Sequence, residues 1–210
     1  MTGLSNSPRL AKGALVGIDP NNPLASVVIF QYNPAQMSRT LTERTGAHQG
    51  GSGNEQYTIA GAPHEKITLQ IEIDATDQLE RGDTVAASMG IYPQLAALEI
   101  IMYPPSADVI LNTAMALAGS IVIVPNDPPM TLFIWGVKRV LPVKLASYSV
   151  TETMHDPQLN PIQAQVDISL EVLTYSDFGM THPGYYVSLA HQVVKETMAT
   201  IGTISKAGGY

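Results

Sequence analysis

Cysteine is absent from all 210 residues. Its absence removes disulfide scaffolds, thiolate metal sites, thiol catalysis and iron–sulfur clusters. Charge is scarce too. Asp, Glu, Lys and Arg make up 14% of the chain, where ~25% is usual. Bases are the rarer sign, 11 Lys and Arg against 18 Asp and Glu, for a net charge of −7. Duplex nucleic acid is held by clustered Lys and Arg that neutralise phosphates, and anionic membrane surfaces draw on the same residues. The balance therefore argues against nucleic acid and membrane as main partners. One uncharged segment invites a membrane reading, 109–124. It has 16 residues and contains Asn112, Thr113, Gly119 and Ser120, short of the ~20 apolar residues a spanning helix needs. It reads instead as a buried or partner-covered helix followed by a strand. Residues 1–13 contain no apolar core of signal-peptide length, so the expected location is the cytoplasm.

Against these absences stands a substantial apolar content of 45%. A chain of this length buries a real core without disulfides or metals, and one so poor in charge is not intrinsically disordered. Length predicts one domain with a short appendage: a flexible N-terminus over 1–11, a β domain over 12–175, and a linker with an amphipathic helix over 176–210. The little charged surface that remains suggests a protein much of whose exterior is covered by partners.

Along the chain, Lys12–Ile18 predicts a first strand, stopped by Asp19-Pro20-Asn21-Asn22-Pro23. Ser26–Tyr32 is β-branched and aromatic and predicts a strand that Asn33-Pro34 ends. Met37–Thr45 is strand-compatible. Gly46–Asn54 has four glycines in nine residues and predicts a flexible loop. Lys66–Ile73 alternates apolar at odd positions with polar at even ones, the pattern of a strand with one face on a core. Asp74–Asp83 reads as a polar loop. Pro93 suits a helix start, after which Leu95, Leu98 and Met102 share a face. Pro104-Pro105 stops that helix, and 109–118 predicts a second, with Gly119 just past its end. Thr131–Val137 is apolar on both faces and predicts a central strand. Val143–Thr153 and Gln163–Thr174 predict two long strands joined by the turn Asp156-Pro157 to Asn160-Pro161, an antiparallel hairpin. On the first, simple alternation puts Leu145, Ser147, Ser149 and Thr151 on one side and Ala146, Tyr148 and Val150 on the other. Tyr185–Ile201 predicts a helix with an apolar stripe of Tyr186, Ala190, Val193 or Val194, Thr197 and Ile201. The fold class is mainly β with helical additions: six or seven mostly antiparallel strands in a barrel or sandwich, plus a C-terminal helix.

Chemistry-bearing patterns are few. The five histidines, His48, His64, His155, His182 and His191, show no metal-ligand spacing and read as surface or capping residues. No nucleophile elbow, phosphate loop or dinucleotide fingerprint is present. Glu72, Asp74 and Asp77 cluster at a strand end. A carboxylate pair can serve glycoside hydrolysis, but a solvated acidic edge is the simpler reading. Lys138-Arg139 is an adjacent basic pair at a strand end. The expectation is a protein with no catalytic residues, no cofactor and no metal, working by assembly.

A specific resemblance begins at Phe30-Gln31-Tyr32-Asn33-Pro34-Ala35-Gln36-Met37. It resembles the F-x-[FY]-N-P-x-x-[apolar] segment near the start of contractile injection system tube and baseplate-hub proteins. The family belongs to phage-tail-like particles, and its hub adaptors often carry a LysM domain. Further segments are similar in the same order: Gly61-Ala62-Pro63 into Lys66–Asp74, Tyr92–Glu99, Phe133-Ile134-Trp135-Gly136, and the hairpin from Tyr148 through Asp156-Pro157 and Asn160-Pro161 to Glu171. The family's Asp-Gly-x-Pro turn reads Gln158-Leu159-Asn160-Pro161 here, residues 106–126 are longer than the usual connection, and a LysM domain is not in this sequence.

The resemblance implies a tube-protein-like antiparallel β-barrel or sandwich. It implies a ring-forming hub or tube-initiator protein that joins the inner tube to the central spike. The implied partners are copies of itself (a hexamer expected, a trimer possible), the inner tube protein, a VgrG-like spike protein and other baseplate proteins. The particle is assembled in the cytoplasm and later released or membrane-anchored. The polar faces of Lys66–Ile73 and Gln163–Val172 would then line a lumen or meet an adjacent ring, or else simply face solvent. The Gly46–Asn54 loop would reach a neighbouring ring. The alternatives are a tail tube or hub protein of a bacteriophage or type VI-like system, an effector-binding adaptor using the C-terminal helix, and a wall-degrading hydrolase.

Overall fold

The computed structural model describes residues 12–18, 27–44, 61–119 and 130–207. The N-terminus 1–11, the 19–23 turn, the 46–54 loop and the strand expected after Gly119 lie outside the described residues. The elements are β1 (Ala14–Ile18), β2 (Val27–Ile29), β3 (Met37–Thr42), β4 (His64–Asp74), α1 (Thr76–Glu80), α2 (Thr84–Met89), α3 (Tyr92–Glu99), a 3₁₀ turn (Ile100–Met102), α4 (Ser106–Leu117), β5 (Met130–Ile134), β6 (Val140–His155), β7 (Pro161–Val172) and α5 (Pro183–Ala207). The protein is mainly β with helical additions and a C-terminal helix. The strands form one seven-stranded sheet in the order β2-β1-β5-β6-β7-β4-β3, antiparallel at every pairing.

The alternation in β4 is realised fully: Ile67, Leu69, Ile71 and Ile73 are buried, while Lys66, Thr68, Gln70 and Glu72 are exposed. Val166, Ile168 and Leu170 answer them across the β4–β7 ladder. This face packs with Ala86, Ile91, Leu95, Leu98 and Ile101 from the helical segment into one core. β5 sits third in the sheet as an interior strand, with Phe133 fully buried.

The Phe30–Pro34 motif locks the first strands to the rest. Phe30 is buried. Gln31 Nε2 donates to the Asp74 carbonyl at 2.7 Å, and Gln31 Oε1 accepts from Asp74 N at 3.0 Å. Asn33 Oδ1 accepts from Gly13 N at 2.9 Å. Gly13 itself lies under Trp135, where an added Cβ would stand 2.7 Å from the ring.

Five expectations are corrected. The Asp74–Asp83 loop contains α1: Asp74 Oδ1 accepts from Thr76 N at 2.7 Å and Ala75 is fully buried, which anchors one helical turn. α2 follows, capped by Asp83, whose carboxylate accepts from Val85 N and Ala86 N. Ile101, not Met102, completes the buried face after Leu98, because the chain tightens into a 3₁₀ turn there and the 3.6-residue count fails. α4 ends as expected before Gly119, which has φ +75°, but it buries none of its residues in this chain. On β6 the register shifts between Leu145 and Ser147. This bulge at Ala146 reverses the parity, so that Leu141, Val143 and Leu145 face the core before it, and Tyr148 and Val150 pack against the core after it. α5, which begins at Pro183, is the fifth correction and belongs to the surfaces described next.

Candidate functional site

Glu65 continues the phase of the buried positions in β4, so the strand places a carboxylate on its apolar side. Its side chain is 4% exposed. Arg39 stands two positions from Leu41, the direct cross-strand partner of Glu65, and so shares its face. Arg39 Nε donates to Glu65 Oε1 at 2.7 Å. From α5, Lys195 Nζ donates to Oε2 at 3.1 Å. Burial pushes the Glu65 carboxyl up. The hydrogen bonds and charges of Arg39 and Lys195 outweigh that and hold it below its ordinary value.

Glu65 therefore stabilises the fold above the ordinary glutamate range, and this contribution is lost as pH falls through the lowered folded value. The expected result is that Glu65→Gln melts below the wild type at neutral pH and that the gap closes as the solution is acidified. Thermal melts of both chains across pH check it. A gap that is constant with pH would remove the ionic account.

α5 inverts its expected orientation. The side turned to the sheet carries Gly184, Ser188, His191 and Lys195, whereas Tyr186, Val193 and Ile201 of the apolar stripe are exposed. Two close fits impose this: the Glu65–Lys195 bond, and Gly184, where an added Cβ would stand 2.5 Å from Phe178. His191 is half-buried beside the cluster, and desolvation, then the Lys195 charge, lowers its pKa. Between β3, β4 and α5 lies a groove of about 380 Å³, floored by Leu41, Leu141 and Val172 and reached by Glu65, His191 and Lys195.

Over β3, β4, β7 and the later part of β6 the opposite face of the sheet is polar, and it is hollowed by a depression of about 530 Å³ whose lining includes Lys66, Gln70, Ser147 and Asp167. Over β2, β1 and β5 that face is apolar, with Val16, Ile29 and Leu132. Lys66, Glu171 and Lys144 stand side by side across β4, β7 and β6, a charge-alternating row. Gln70 Nε2 donates to Asp167 Oδ1 at 2.8 Å.

Of the carboxylates singled out in the sequence, Glu72 and Asp74 converge on Gln163 Nε2, at 3.0 and 3.3 Å. Asp77 stands apart on α1. His182 Nδ1 accepts from Gly184 N at 3.0 Å at the start of α5. His155 Nε2 lies 3.0 Å from Glu152, His64 is exposed, and His48 lies outside the described residues. Arg139 is half-buried near Arg39 and Glu65. Sequence reasoning missed the Glu65 cluster. The available signal was a glutamate in phase with four buried positions on β4, and an arginine in phase with Met37 on the preceding strand. Among the described residues, no three His, Asp or Glu side chains converge as a metal-binding group, and no helix is long and apolar enough to cross a membrane.

No family model matches the chain, and no curated protein matches it. Among solved structures, a chain from "Virion of native gene transfer agent (GTA) particle" aligns over 76% of this chain and 90% of its own length. The identity is 9% and the TM-score 0.30. The described residues form a seven-stranded antiparallel sheet with an apolar core face, an opposite face that is polar over β3, β4, β7 and the later part of β6, and a C-terminal helix with its apolar side outward.

Proposed function

We propose that this chain is a non-catalytic structural component of a contractile injection system, a ring-forming baseplate hub or tube-initiator protein that connects the inner tube to the central spike. The observation that supports it best is the state of the two sheet ends. Among the described residues no strand pairs beyond β2 or β3, yet both carry exposed apolar side chains: Val27 at 44% and Ile29 at 62% on β2, Leu41 at 53% on β3. Proteins that stay alone blunt such edges, and exposed apolar groups on unpaired strands suit pairing with a neighbouring copy.

In this reading the sheet continues from copy to copy, the polar part of its outer face over β3, β4, β7 and the later part of β6 lines the lumen, and the ring passes the thrust of contraction between layers without chemistry. The partners are further copies (six expected, three possible), the inner tube protein, the spike protein and other baseplate proteins, assembled in the cytoplasm. Native mass spectrometry of the purified chain and imaging of particles test it. The expected result is a closed hexamer or trimer, found between tube and spike. A chain that stays monomeric at all concentrations and is absent from particles would overturn it.

A further inference from the structure

We propose that copies of this chain meet head to tail, the groove beneath α5 of one copy receiving the acidic α1–α2 end of the next. The inference deepens the reading above and rests on it in that the chain must assemble with itself. It adds a second pair of surfaces, at the strand ends, to the edge pairing of β2 and β3.

The end of the sheet beside the groove carries more positive charge than Glu65 neutralises. Glu65 is its buried carboxylate, and both Arg39 and Lys195 already bond to it. Arg139 has no side-chain hydrogen bond or ion pair among the described residues. Its guanidinium is held below its ordinary value by burial first and then by repulsion from Arg39. Lys138 beside it is exposed. Glu43 and Glu196 are the other acids nearby in the chain, and Gln192 donates to Glu196. The Arg44–Asp177 pair closes on itself at 2.7 Å. An apolar-floored groove with Arg39 and Arg139 beside its one carboxylate suits a protein segment that brings carboxylates on a compact apolar base.

The other end of the same strands supplies that chemistry. β4 runs from His64 at the groove to Asp74 at the far end. There Ala75 N bonds to the Ile162 carbonyl and Ile91 N to the Pro161 carbonyl, which gathers α1, α2 and the β6–β7 turn together. Glu72, Asp77, Glu80, Asp83, Glu152 and Asp156 lie at this end, and Arg81 is its one Lys or Arg among the described residues. Exposed Val85 and Met89 on α2 provide apolar contact beside the acids. The two surfaces sit at opposite ends of the sheet, so one copy cannot satisfy itself. Each copy offers one surface and accepts the other, a heterologous contact. Opposed charge fixes the direction of docking and speeds encounter.

The test is self-association by light scattering at about 0.05 M and about 1 M salt, where screening lengths differ several-fold. Two charge-reversed chains accompany the wild type, Lys138→Glu/Arg139→Glu and Asp77→Lys/Glu80→Lys. The wild type should associate at low salt and weaken at high salt. Each variant alone should associate at least about tenfold more weakly, and an equimolar mixture of the two should recover association. The salt series needs no variant and decides the matter even if one fails to fold. A wild-type oligomer of unchanged mass at both salts, or variants that associate as the wild type does, would overturn this contact and leave edge pairing standing. A wild type that is monomeric at both salts would overturn the contact and self-assembly together.

Discussion

Gly90→Ala is expected to lower the thermal midpoint by roughly 4–16 °C. Gly90 caps α2 at φ 57°, ψ −131°, a backbone region that L side chains rarely enter. Strain there costs on the order of 1–3 kcal/mol. Space is shorter still: an added Cβ would stand 2.0 Å from the Pro161 carbonyl oxygen. The same oxygen accepts from Ile91 N at 2.8 Å, so relief of the clash pulls apart the bond that seats α3 on the start of β7. Strain plus a lost buried hydrogen bond of about 1 kcal/mol gives roughly 2–4 kcal/mol, and each kcal/mol moves the midpoint by about 2–4 °C in a chain of this size. Gly82→Ala is the control. Its φ is +71° but nothing lies within 4 Å of the added atom, so it bears backbone strain alone. Melting followed by circular dichroism separates them, and a Gly90→Ala midpoint equal to that of Gly82→Ala would refute the steric account.

Phe133→Ala is expected to cost about 3–5 kcal/mol. Phe133 is fully buried on interior strand β5, and its ring stacks on Trp135 with centroids 5.9 Å apart and planes 23° apart. Trp135 is the sole tryptophan, so its emission reports this packing without competing signal. Truncation leaves a cavity beside the indole, and the emission should shift to longer wavelength together with a large fall in urea midpoint. Phe133→Leu keeps most of the volume and should lose under about 2 kcal/mol. A Phe133→Ala chain with unchanged emission and midpoint would mean that the β1–β5–β6 part of the sheet is not the load path for stability.

The strands were the most legible part of the sequence, and the reasons differ from strand to strand. β4 alternates without interruption from Ile67 to Ile73, and β7 repeats that pattern across the ladder, so the period alone assigns both faces. The β6–β7 hairpin was legible from its turn residues. Asp156 accepts from Gln158 N and Asn160 N at 2.8 Å each, so the tie does not need the glycine usual at such a turn. Leu159 takes the left-handed conformation in its place, at φ 66°.

The errors arose where a tertiary contact overrode a local period. α5 turns a polar side inward because Glu65, far away in sequence, offers Lys195 a partner. A hydrophobic stripe reports which side prefers to leave water, and in a subunit with open surfaces that side can face outward. Ile101 replaces Met102 because the helix tightens, a change no residue type announces. The Glu65 cluster unites β3, β4 and α5, with Glu65 and Lys195 alone 130 positions apart, beyond the reach of any local pattern.

The extra residue at Ala146 makes β6 two strands spliced out of step. Upstream of the splice the odd positions feed the interior, and downstream the even ones do. Losing that one residue would remove the bulge and leave a plain alternation, with Leu145, Tyr148 and Val150 still turned inward and Ser147 and Ser149 still outward. Position 146 therefore leaves the choice of faces to its flanks, and what the extra residue supplies is the local bend and added twist of a bulge.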